Sequence, residues 1–127
     1  MARRVLPFFV LLALLAASCD GKTVYSVART RACFVARSAA IGGKLDFVAT
    51  TATGGAFKAT LNDNSVKLVF GLTEADAQAI VDAYERFAYT NVRANLADVL
   101  RRYNNVVALW HKHPQDMDLA ILVGCLR

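Results

Sequence analysis

Three cysteines, at positions 19, 33 and 125, constrain this chain more than any other feature of its sequence. None lies in a Cys-x-x-Cys arrangement, so the spacing offers little to a thiol oxidoreductase or a zinc ribbon. An odd count raises the question of which two belong together, and the residues ahead of Cys19 bear on it. Arg3 and Arg4 precede a thirteen-residue apolar run, 5–17, and small residues, Ala16 and Ser18, close it. A membrane-spanning helix needs roughly 17 to 25 apolar residues. The run is too short for a comfortable permanent span, and Pro7 interrupts its first turn.

A basic start, a short apolar core and small residues before a cut site have the layout of an export signal over residues 1–18. The stretch Leu15-Ala16-Ala17-Ser18-Cys19 resembles a bacterial lipobox, although Ala16 stands where that family usually has leucine. The resemblance implies cleavage before Cys19, diacylglycerol on its sulfur, and a lipoprotein facing the extracytoplasmic side. Without the lipid, the same signal gives a secreted or periplasmic protein. Either way Cys19 is set apart, leaving Cys33 and Cys125 in an oxidising compartment where a disulfide is expected.

Removing residues 1–18 leaves 109 of the 127 residues, enough for one domain and too few for two. Two of the fifteen basic residues leave with it and no acidic one, so the formal charge falls from +5 to +3. That excess is small. Export, with no arranged set of exposed aromatics, argues against a nucleic-acid partner.

Along residues 19–127, the segment 26–40 reads as a helix with Ser26 as its cap and Gly42-Gly43 as its stop, although its valines also suit a strand. A stripe of Ala32, Cys33, Ala36 and Ala40 would let that helix approach a sheet closely. Residues 44–53 alternate through Leu45, Phe47 and Ala49, and 56–61 through Phe57, Ala59 and Leu61, which predicts a hairpin turning at Gly54-Gly55. A second turn at 62–65 leads to a strand over 66–70. Thr73 caps a helix carrying Ile80, Val81, Tyr84 and Phe87, and Asn95 starts a shorter one reaching Tyr103. The apolar runs 106–110 and 119–125 read as strands, the second placing Cys125 in phase with Leu119, Ile121 and Val123. The expectation is one α+β domain: a mainly antiparallel sheet of about five strands with two or three helices packed on it.

The loop between those runs carries the one cluster of metal-ligand types, His111, His113, Asp116 and Asp118. In an extended segment the two imidazoles point the same way, and with carboxylates they would suit zinc, copper or nickel. A solvated turn explains the same residues. Arg101 and Arg102, with Arg29, Arg31, Arg37 and Lys112, are candidates for an anion-binding patch. No Gly-x-Ser-x-Gly elbow is present, and the glycine pairs are too short for phosphate loops. The sequence therefore points to a non-enzymatic envelope domain that binds a protein or a small ligand, with no cofactor implied. A metal-binding protein or metal-dependent hydrolase using the histidine loop, and a basic adaptor for anionic lipid or polymer, are the alternatives.

Overall fold

The structure, a computed structural model, describes residues 23–88 and 94–127. The export signal and Cys19 lie outside the described residues. The chain runs α1 (Val27–Ala36), β1 (Ala40–Ile41), α2 (Phe47–Thr50), β2 (Ala56–Leu61), β3 (Asn64–Phe70), α3 (Glu74–Phe87), α4 (Leu96–Val99), β4 (Leu100–Tyr103), β5 (Val106–Trp110) and α5 (Asp116–Cys125). The five strands form one sheet in the order β1-β2-β3-β5-β4, with every pairing antiparallel. This is the expected α+β domain, with helices on both faces of the sheet rather than one.

Alternation along the central strands makes both faces apolar. On β3, Val66, Leu68 and Phe70 face one side while Val69 faces the other, and on β5 Val106, Ala108 and Trp110 oppose Val107. The first face is covered by α1 and α5, which bring Phe34, Leu122 and Cys125 onto it. Phe34 meets Phe57 edge-on at 5.7 Å, and Phe57 stacks on Phe70 at 6.0 Å. The second face is covered by α3, through Ala77, Ile80 and Tyr84, and by the single turns α2 and α4, through Ala49 and Leu96. Trp110 is buried against the first-face core.

Cys33 on α1 and Cys125 on α5 are joined as a disulfide, with Cα atoms 5.3 Å apart. The route to that pairing differs from the expected one. Residues 116–125 form a helix, not a strand, so the two-residue phase does not hold: Asp118, Leu122 and Cys125 are its buried residues, Leu119 and Ile121 pack against the same core in part, and Val123 is exposed. The buried face of α1 carries Thr30 and Phe34, whereas Ala32 and Ala36 of the expected small-residue stripe are exposed. Helix α1 also ends at Ala36, and Ser38 with φ 63° turns the chain into β1.

Two other expectations are corrected. The stretch 44–53 does not pair with 56–61: Asp46 accepts the Ala49 amide at 2.9 Å and starts α2, leaving Phe47 exposed. Gly54-Gly55 instead meets the end of β3, where the Gly54 amide donates to Phe70 at 2.7 Å. A Cβ on Gly54 would lie 2.7 Å from that carbonyl oxygen, so the close approach requires glycine. The second expected turn is present: it narrows to Asn62-Asp63 and joins β2 to β3 as a hairpin. The helix begun at Asn95 stops at Val99, because Leu100–Tyr103 pair with β5 as the edge strand β4.

Candidate functional site

The residues singled out in the histidine loop do not converge. Asn64 holds the backbone of Lys112 from both sides, accepting its amide at 3.2 Å and donating to its carbonyl at 3.0 Å, between the two histidines. His113 pairs through Nδ1 with Asp98 on α4 at 2.6 Å. Asp118 is buried and turns back to accept the Gln115 amide at 3.0 Å, an N-terminal cap for α5. Asp116 is exposed on the first turn of α5. Among the described residues no group of three or more His, Cys, Asp or Glu is placed to hold a metal ion.

Arg101 and Arg102 are likewise separated. Adjacent on β4, they face opposite sides of the sheet: Arg101 shares the side of Tyr103, and Arg102 lines a shallow hollow with Gln78, Val81 and Glu85 beside α3. Burial pushes the Tyr103 phenol up, against the opposing charge of Arg101. Arg29, Arg31 and Arg37 are exposed on and after α1, and Lys112 pairs with Asp63 at 3.0 Å.

The structure gathers positive charge elsewhere, on the second face of the sheet. Lys58 on β2 and Lys67 on β3 are direct cross-strand partners, and Lys67 is the partner of Leu109 on β5. Like charges opposed across strands are destabilising unless something neutralises them. Asp46 does so for Lys67, its carboxylate bonded to the ammonium group. Lys58 has no acidic partner among the described residues. A Cβ on Gly43 would meet Lys58 Cδ at 2.8 Å, so the bare glycine backbone gives the lysine stem its place. Lys44 follows on the same loop. With Ser65, Asn95 and His111, the three lysines line a cleft of about 400 Å³ walled by Val99, Leu109 and Trp110.

Asp46 fixes one end of this arrangement. It caps α2, accepts Lys67, and accepts the Tyr84 hydroxyl at 3.0 Å, so one carboxylate ties α2, β3 and α3 together. Partial burial raises its pKa, but Lys67, the Ala49 amide and Tyr84 outweigh that and hold it below the ordinary carboxyl value of 3.8. Burial, aided by the charge of Asp46 and the hydrogen bond to it, pushes the Tyr84 phenol far up. At neutral pH Asp46 is thus a carboxylate and Tyr84 a neutral phenol. Asp46 is occupied by three donors and Tyr84 retains its proton, an arrangement that positions Lys67 rather than one poised to abstract a proton.

These residues were not singled out by sequence reasoning. Lys58 and Lys67 are equally spaced about Asn62-Asp63, a signal that becomes readable once the expected turn within 62–65 is narrowed to those two residues. No helix among the described residues is long and apolar enough to cross a membrane. Comparison with family models, with curated protein sequences and with solved structures finds no match.

Proposed function

We propose that this chain is an exported, non-enzymatic binding domain of the cell envelope, anchored by lipid on Cys19, and that its ligand is anionic and sits in the lysine cleft. The carrying observation is the convergence of Lys44, Lys58 and Lys67 on one cleft, where Asp46 is the one neutralising carboxylate among the described residues. Their ammonium groups, with the Ser65 hydroxyl and the Asn95 amide, offer donors to phosphate or carboxylate oxygens. Export rests on residues 1–19, and the Cys33–Cys125 pair fits an oxidising compartment. The anchoring is checked by intact mass of the membrane fraction, expected to show diacylglyceryl on Cys19; a chain retaining residues 1–18 contradicts it.

The binding claim is tested by titrating the purified protein with inorganic phosphate. Saturable binding that weakens with added salt is expected. Lys44→Gln and Lys58→Gln should each lower the affinity about twofold to fivefold, the upper part of the range for losing one screened charge contact. Arg101→Gln and Arg102→Gln should leave it unchanged. Absence of saturable binding, or loss on the arginine replacements alone, would sink the proposal.

A further inference from the structure

Next to the lysine cleft lies a second hollow of about 380 Å³ on the same face, sharing Lys67 and Leu109 with it. Its chemistry is different. Phe47, Val48, Phe87, Leu96 and Leu109 supply most of its wall, and its polar residues, Asp46, Lys67 and Tyr84, are already bonded to one another. Two large apolar side chains stand exposed at it from different elements: Phe47 of α2 at 77% and Phe87 of α3 at 66%. Phe87 continues the apolar spacing of α3, yet it is not buried against the sheet as Ile80 and Tyr84 are. Exposed aromatics gathered at one apolar hollow, with polar groups at one end, are the general form of a ligand groove.

We propose that the ligand is a single-chain anionic amphiphile, its head group held by the lysine cleft and its hydrocarbon chain lying in the hollow between Phe47 and Phe87. This inference rests on the anion-binding reading above and adds the chemistry of the rest of the ligand. Charge complementarity selects the occupant: the apolar hollow shares Lys67 with a cleft that, among the described residues, is lined by three lysines and no acidic residue. A neutral lipid would leave Lys44 and Lys58 unmatched, Lys67 being held by Asp46, and a bare anion would leave the hollow unfilled. A second copy of this positively charged chain would face repulsion at the same place.

The test compares inorganic phosphate with hexyl, octyl and decyl phosphate, each below its micelle concentration, on the purified protein with its disulfide intact. Affinity should rise roughly two- to fourfold for each added methylene, the upper figure being that of a fully buried group. Phe47→Ser and Phe87→Ser, at exposed positions, should flatten this chain-length dependence and leave phosphate affinity unchanged. Lys58→Gln should weaken every member of the series by the same factor. Alkyl phosphates binding no tighter than phosphate would overturn the amphiphile while leaving the anion site standing, and no binding by any of them would overturn both. Decanol binding as tightly as decyl phosphate would overturn the role of the head group. Self-association that Phe87→Ser abolishes would make the hollow a contact between copies and overturn the proposal.

Discussion

Replacing Cys33 and Cys125 together by alanine should lower the stability of the domain by about 3 to 4 kcal/mol, the usual outcome for a bridge closing so long a loop. The two residues are 92 positions apart, so the bond restricts nearly the whole described chain when it is unfolded. The chain-entropy model gives roughly 4 to 5 kcal/mol for such a loop, and measured values commonly fall somewhat below it. In the folded state the bond joins α1 to α5 on the first face of the sheet, where Cys125 is fully buried. Other contacts hold the same two ends: the Ser26 amide donates to the Arg127 carbonyl, and the Arg127 amide donates to the Thr30 hydroxyl at 3.2 Å. The folded geometry should therefore survive the replacement while its margin shrinks. The midpoint of thermal unfolding should drop by roughly 15 to 25 °C. Reductant should lower the midpoint of the unaltered protein to that of the double variant and leave the variant where it is. A midpoint indifferent to reductant would show that the bond contributes nothing.

Asn105→Ala should cost about 3 kcal/mol, through three hydrogen bonds removed from a buried site. Asn105 is 1% exposed at the turn between β4 and β5. Its Oδ1 accepts the Tyr25 amide at 2.7 Å, and its Nδ2 donates to the carbonyls of Tyr25 and Gly71, each at 2.9 Å. Its own carbonyl accepts the Gly71 amide at 2.8 Å. One side chain thus fastens the segment before α1 and the corner between β3 and α3 to the last hairpin. Alanine leaves the Tyr25 amide and the Gly71 carbonyl without that partner, and the cost of unmade bonds exceeds the value of made ones. Neighbouring Asn104 is the control. It adopts φ 51° and makes one exposed side-chain bond, to the Thr23 carbonyl at 3.0 Å, so Asn104→Gly should cost only a few tenths of a kcal/mol. Equal urea midpoints for Asn105→Ala and the unaltered protein would contradict this account of the corner.

What the sequence made legible follows from how local each signal is. Helix α3 could be read because its cap, its acidic first turn and its apolar spacing agree, and the Thr73 hydroxyl does accept the Asp76 amide at 3.1 Å. Strand β3 is legible from the alternation of Val66, Leu68 and Phe70 after the turn at 62–65, and β5 from an apolar run that the structure covers on both sides. The run 119–125 was misassigned as a strand because a short, wholly apolar stretch has no period to separate strand from helix. Gln115 and Asp118, three apart after Pro114, were the available sign of a helix start. Residues 100–103 carry a helical spacing that lost to a hairpin ladder: β5 takes Leu100–Tyr103 as its second neighbour across the two-residue turn Asn104-Asn105, whose first residue adopts φ 51°. Residues 44–53 alternate, yet the Asp46 cap decided their structure. The candidate site depended on these last choices. Asp46 lies in the stretch whose alternation suggests a strand, and although the turn at 62–65 is legible, its register, which opposes Lys58 to Lys67, is not.

The central claim is that anions are bound by the second face of the sheet at Lys58 and Lys67, and it is tested most directly by following backbone amide resonances during a phosphate titration. Saturable shifts at Lys58, Ser65, Lys67 and His111, with Arg101, Arg102 and Asp116 unmoved, are the predicted result. Shifts centred on Arg101 and Arg102, or none at all, would contradict it.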